Sequence, residues 1–250
     1  MRLSGKTVLV TGGTRGIGAA LVAKLAAEGA NVAFSFVTSP ERAAEIETAL
    51  KSSPGRVFGM RADVRSREDV DAFAARAMRE FGRIDAAVNN AHQAYAARSF
   101  EDAGWDDFQR EIDTLLKGTF NVTQACLPHM KAQGAGAIVN IGSTMAMAPR
   151  HRHSFYVTAK CALGGLTQSL ALELGRYGIR VNMVTPGPLA TDHNADYPAE
   201  VMKRLGEETP LHGRIATVEE VAGAITLLLL DEARAITGAN VLASAGFAIA

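Results

Sequence analysis

An apolar run, Thr7-Val8-Leu9-Val10, passes directly into Thr11-Gly12-Gly13-Thr14-Arg15-Gly16-Ile17-Gly18 and then into a helical pattern. No other stretch restricts the fold as much. Glycines at a strand-to-helix turn let the backbone approach a pyrophosphate, and the helix N-terminus supplies amide donors and positive potential. The strand-then-helix unit recurs along the chain. Strand-like runs at 7–10, 31–36, 56–61, 86–89, 137–141, 180–185 and 240–242 alternate with helical stretches at 16–28, 41–51, 67–81, 105–133, 155–176 and 218–230. Several strands are short apolar runs, as expected where both faces are covered. Gly29, Gly82 and Gly178 stand where helices end, and Thr217 with Glu220 has the form of a capping box. The alternation implies an α/β fold: a doubly wound parallel sheet of about seven strands with helices on both faces. At 250 residues the chain suits a single domain, 1–250. The least regular stretch, 186–214, has three prolines after Gly187 and is expected to be a substrate lid within that domain.

A second set of residues points to chemistry. Tyr156-x-x-x-Lys160 sets a phenol and an ammonium one helical turn apart on one face. Thirteen residues upstream, Ser143 follows the strand 137–141 and Gly142. Reducing a ketone takes a hydride and then a proton on the new alkoxide. A tyrosine with a pKa of about 10 is a usable acid at neutral pH. Lowering that pKa by about three units needs about 4 kcal/mol. A unit charge about 4 Å away supplies roughly that at an effective dielectric near 20. Lys160 is spaced to be that charge, and Ser143 to hold the substrate oxygen against the tyrosine.

These motifs resemble the short-chain dehydrogenase/reductase family, and the resemblance covers essentially the whole chain. Gly12, Gly16 and Gly18 match T-G-x-x-x-G-x-G, Asp63-Val64 the Asp-Val after the third strand, and Asn89-Asn90-Ala91-His92 the N-N-A-G segment. Gly142-Ser143 matches G-S, Tyr156 to Lys160 matches Y-x-x-x-K, and Pro186-Gly187 to Thr191 matches P-G-x-x-x-T. Six motifs in order are specific where one glycine motif is weak. The resemblance implies a Rossmann-type nicotinamide oxidoreductase interconverting a ketone and a secondary alcohol, similar to 3-oxoacyl-[acyl-carrier-protein] reductase-like members. Ser143, Tyr156 and Lys160 would be its catalytic residues. The cofactor would lie along Gly12, Thr14, Arg15, Gly16, Ile17, Gly18, Phe36, Thr38, Ser39, Asp63, Val64, Asn90, Ala91, Tyr156, Lys160, Pro186, Gly187, Leu189 and Thr191. Ser143, His92, His153 and Tyr156 would face the substrate. The resemblance also implies a homotetramer, or a homodimer, joined through the helices around 105–133 and 155–176.

The end of the second strand bears on the choice of cofactor. NAD binders usually carry an acid there for the ribose 2′-hydroxyl. This strand ends Phe34-Ser35-Phe36-Val37-Thr38-Ser39, with Phe36 where the family's NAD enzymes have aspartate. Arg15 can pair with a 2′-phosphate, and Thr38 and Ser39 can donate to it. NADP(H) is therefore expected over NAD(H).

Several positions depart from the family pattern. Leu115 stands three residues before Gly118, where the family has an asparagine that holds a proton-relaying water chain. His92 replaces a glycine, and imidazole titrates near neutrality. The readings for His92 are a partial replacement for the relay and a histidine with a structural hydrogen bond. The last strand runs into Ser244-Ala245-Gly246-Phe247 rather than Asp-Gly-Gly. The apolar tail from Phe247 to Ala250 is expected to be buried, against a partner subunit. Arg150-His151-Arg152-His153 could meet an acidic carrier or simply be solvated. Ser169-Leu170-Ala171-Leu172-Glu173 lacks the arginine of the carrier-docking pattern S-L-A-R-E. A low-turnover NADP-binding scaffold or sensor is the alternative that Leu115 suggests. An enoyl reductase fits less well, because those relatives space tyrosine and lysine more widely.

Charge narrows the partners. Lysine plus arginine and aspartate plus glutamate number 26 each, so net charge is zero. That disfavours nucleic-acid and membrane-surface partners. Met1 to Lys6 leads straight into the first strand with no secretory pattern, and no apolar stretch is long enough to span a bilayer. Cys126 and Cys161 form neither a metal-like cluster nor a disulfide pattern. A cytoplasmic enzyme with no metal and a small carbonyl or alcohol substrate, possible thioesters included, is the expectation.

Overall fold

A computed structural model describes residues 1–190, 199–211 and 213–248. Seven strands form one sheet in the order β3-β2-β1-β4-β5-β6-β7, every neighbouring pair parallel. They are β1 (Thr7–Val10), β2 (Asn31–Phe36), β3 (Val57–Arg61), β4 (Ala86–Asn89), β5 (Gly136–Ile141), β6 (Ile179–Pro186) and β7 (Asn240–Ala243). Parallel pairing brings the C-terminal ends of all strands to one edge. The strand order reverses between β1 and β4, which is where crevices form in such sheets.

The side-chain alternation of the strands divides the core in two. Val8, Val10, Val32, Phe34, Val88 and Val139 face one side. There they pack under α1 (Gly16–Ala27) and α8 (Val218–Leu229) through Leu21, Leu25, Val221 and Ile225. Leu9, Ala33, Ala87, Ile138 and Val181 face the other side, toward α3 (Arg67–Phe81), α5 (Gly118–Gln133) and α6 (Ser154–Leu174). Each fully buried Val, Leu, Ile or Phe contributes about 1.5–3 kcal/mol. Helix α2 (Pro40–Ala49) flanks the β2–β3 edge. Helix α3 starts at a Ser66 cap that accepts from the Asp69 amide and stops at left-handed Gly82. The Thr217–Glu220 capping box forms as expected.

Element boundaries fall within a few residues of those expected from the sequence, with two differences. The stretch 105–133 is not one regular helix. It divides into α4 (Trp105–Glu111), a π-helical turn (Ile112–Lys117) and α5. The stretch 186–214 also contains a helix of its own, α7 (Ala199–Glu207), which buries Leu205. Pro188 and Pro210 lie outside that helix, whereas Gly206 lies buried within it.

Candidate active site

The glycine loop is locked by its neighbours. Gly12 and Gly16 have positive φ, 66° and 51°. A Cβ on Gly13 would lie 2.5 Å from that of Phe34, and one on Gly18 2.7 Å from Asn90 Nδ2. Asn90 Nδ2 donates to the carbonyls of Thr11 (2.9 Å) and Gly12 (3.0 Å). Thr11 Oγ1 accepts from the Asn90 and Ala91 amides, both at 3.0 Å. The Gly13 amide bonds Ser35 O at the end of β2 (2.9 Å). The loop is thus tied to β2 and to the chain after β4, with its open side along the C-terminal edge of the sheet.

Ser143, Tyr156 and Lys160 converge at that edge. Ser143 follows β5, accepts from the Met145 amide (3.2 Å) and hydrogen-bonds Tyr156. Lys160 is 4% exposed. Its Nζ donates to Ile141 O (2.6 Å) and stands 5.7 Å from the centre of the Tyr156 ring. Burial pushes the Tyr156 phenol up to about 12; the bond with Ser143 acts against this and the charge of Glu111 adds to it. Burial pulls Lys160 down to about 8, and Glu111 raises it. The lowering of Tyr156 by Lys160 expected from the spacing is not visible in this state. Burial dominates the phenol, and Lys160 is engaged with Ile141.

His92 packs against this group, its ring 5.3 Å from Tyr156 and 5.7 Å from Tyr95. Its Nε2 lies 3.4 Å from Glu111 Oε2, and Glu111 is 1% exposed. Burial lowers the His92 pKa; the Glu111 carboxylate beside it raises it, and the Lys160 charge lowers it. His153, just before α6, has Nδ1 3.0 Å from Tyr95 OH. Tyr95 and Glu111 escape the motif-based reading. A signal existed for Glu111, which sits four residues before buried Leu115 and so on the same face of a helix. Leu115, with Thr11, Asn89 and Thr114, lines a small cavity of about 10 Å³.

The outer nucleotide positions are also placed. Phe36 is half-buried at the end of β2 and packs on the first core. Arg15 and Thr38 are exposed beside it in the sequence segments that meet there, and Ser39 precedes α2. The Asp63 carboxylate is engaged by Arg65 (2.6 Å), which holds its pKa down, and Val64 is buried against Gly118. Pro186 ends β6, Gly187 touches Ser244, and buried Leu189 bridges to Ala216. Thr191 lies outside the described residues, as do Ile249 and Ala250 of the tail; Phe247 sits under the Arg150 guanidinium of its own chain, 5.5 Å away. A dinucleotide fits this arrangement: the loop is shaped by glycines that cannot carry a Cβ, and the Arg15 guanidinium makes no hydrogen bond among the described residues. No group of His, Cys, Asp and Glu suited to a metal ion occurs among the described residues.

A family model described as enoyl-(acyl carrier protein) reductase matches residues 12–248. The chain belongs to the short-chain dehydrogenase/reductase family. A 3-oxoacyl-[acyl-carrier-protein] reductase of Staphylococcus aureus is 34% identical to it over 243 residues, 96% of this chain and 97% of the relative. A Serratia marcescens short-chain dehydrogenase/reductase variant superposes with a TM-score of 0.92 at 36% identity, covering 100% of both chains. A short-chain dehydrogenase of Burkholderia cenocepacia, solved with NADP, superposes with a TM-score of 0.90 at 34% identity, covering 99% of both. The protein is accordingly a short-chain dehydrogenase/reductase enzyme whose general chemistry is hydride-transfer oxidoreduction. Among its described residues no helix is long and apolar enough to cross a membrane.

Proposed function

We propose that this enzyme is an NADPH-dependent carbonyl reductase that interconverts a ketone and a secondary alcohol. One observation carries the reading: Ser143, Tyr156 and Lys160 meet at the strand edge occupied by the glycine loop. NADPH, when bound, supplies the hydride. The glycine loop and the α1 N-terminus would hold its pyrophosphate, and Arg15, Thr38 and Ser39 its 2′-phosphate. Asp63 and Val64 would border the base, and Asn90, Ala91, Lys160, Pro186, Gly187 and Leu189 the nicotinamide half.

The residues of the chain then do the rest. Ser143 orients the carbonyl oxygen. Tyr156, protonated over the whole neutral range, donates its proton to the alkoxide. Lys160, mostly charged at neutral pH, holds the ribose and favours the phenolate that Tyr156 becomes. Tyrosine and lysine one helical turn apart support carbonyl rather than enoyl reduction. Subunit pairing through α5 and α6, giving a homotetramer or homodimer, is supported by exposed Phe120 and Leu172 on those helices. The buried apolar Leu115 favours a second reading, an NADP-binding sensor of low turnover; the intact trio argues against it.

The test is NADPH consumption against a panel of ketones, with calorimetry of nucleotide binding alongside. Tyr156→Phe should bind NADPH nearly as well as the wild type and lose about 10²–10⁴-fold in kcat. A Tyr156→Phe enzyme with half the wild-type rate would refute the assignment.

A further inference from the structure

Glu111 is placed where a carboxylate is costly. Moving a charge this far from water costs several kcal/mol unless neighbours compensate it. The other buried acid of α4, Asp107, has Arg98 at 3.5 Å and Arg110 at 3.3 Å. Among the described residues, no arginine pairs with Glu111 in this way. It faces His92 on the segment after β4, 3.4 Å away, and α4 and the π-helical turn pack it toward Tyr156 and Lys160 on α6. The His92 ring is in contact range of both the carboxylate and the Tyr156 ring. The Glu111 charge acts on all three groups: it raises Lys160 against burial, raises Tyr156, and raises His92, 3.4 Å away. The charges facing His92 from other elements are Lys160 on α6 and Arg15 on the glycine loop, both opposing its protonation. Ser143, after β5, faces Tyr156.

We propose that Glu111 is the buried counter-ion of the Tyr156–Lys160 site, with His92, 3.4 Å from the carboxylate, as the neighbour that fixes it behind the site. The pair keeps Lys160 charged and Tyr156 protonated at neutral pH. Both are positioning residues acting through Tyr156 and Lys160. The inference rests on the carbonyl-reductase reading for its catalytic consequence, although the pairing itself exists without turnover. The physical requirement is simple. A lysine buried to this depth loses its proton near neutrality unless an anion shares the site. The π-helical turn immediately after Glu111 is a device that occurs often at functional sites.

Two measurements on the full-length protein test the proposal. The first is a histidine-selective NMR titration without cofactor, the His92 signal being assigned through His92→Asn. Glu111→Gln should move the His92 midpoint to lower pH, and Glu111→Asp should restore part of it. The second is the pH profile of kcat. Glu111→Gln should lower kcat. Its alkaline limb should move to lower pH with little change in KM for NADPH, and Glu111→Asp should recover part of both. If Glu111→Gln does not fold, His92→Asn should shift the same limb in the same direction. An unmoved His92 midpoint overturns the pairing, whatever the turnover. A moved midpoint with an unchanged kcat profile overturns the role in the reaction. A wild type that reduces no ketone, while His92 still responds to Glu111→Gln, overturns the carbonyl-reductase reading and leaves the pair standing.

Discussion

Arg15 and Phe36 bear on the choice between two nicotinamide cofactors that differ by one phosphate. Arg15 is exposed and its guanidinium makes no hydrogen bond among the described residues, so it is available to a dianion without first breaking a bond. Phe36 is half-buried on the core and offers the ribose no acceptor. A charge-assisted hydrogen bond is worth about 1.5–3 kcal/mol. We therefore expect NADPH to bind about tenfold or more tightly than NADH, since 1.4 kcal/mol is a factor of ten. Phe36→Asp should reverse that order, because a carboxylate accepts from a 2′-hydroxyl and repels a 2′-phosphate. Calorimetry with both nucleotides checks this, and equal dissociation constants in the wild type would sink it.

At the scale of elements, the site depends on how closely the first turn folds onto its neighbours. Gly18 opens α1 against the Gly12 carbonyl and Asn90 Nδ2, and both are held by the hydrogen bonds that close the loop. A methyl there has nowhere to go, and overpacking of this kind costs about 1–3 kcal/mol. Gly18→Ala should lower the melting temperature and weaken NADPH binding together, because the displaced backbone is the binding surface. Gly223, inside α8, is the internal control: a Cβ there meets only the Lys24 side chain, at 4.0 Å. Gly223→Ala should stabilise by about 0.5–1 kcal/mol, since alanine loses less backbone freedom on folding. It should leave binding unchanged. Melting curves and NADPH titrations of the two variants separate loop geometry from a general effect of adding a methyl.

At the scale of the molecule, the central strands β1, β4 and β5 were legible because they are buried on both faces and so appear as short, largely apolar runs. The nucleotide loop and the Ser143–Tyr156–Lys160 set were legible because each is local or on one helix. The π-helical turn was not, because inserting one residue leaves a 3.6-residue pattern nearly intact on either side. The Glu111–His92 contact joins the end of α4 to the irregular segment after β4, and only the fold brings them together. That contact belongs to a cluster buried at a cost, which makes global stability a probe of the site. Lys160 falls from 10.5 in an open chain to about 8 in the fold. Between those values the unfolded chain holds more protons than the folded one, so stability attributable to Lys160 rises with pH. Below about 8 the buried ammonium is a burden, and the interval up to 10.5 corresponds to about 3 kcal/mol. Lys160→Met has no such titration. Urea unfolding of both proteins at pH 7 and pH 10 should show the gap moving in favour of the wild type as pH rises. Tyr156 works in the opposite sense, its buried phenol costing stability as the unfolded tyrosine ionises between 10 and about 12. Because Tyr156 is present in both proteins, it largely cancels in the comparison. A gap that stays constant from pH 7 to 10 would mean that Lys160 does not carry a depressed pKa in the fold. The charge that Glu111 is proposed to compensate would then not be under strain.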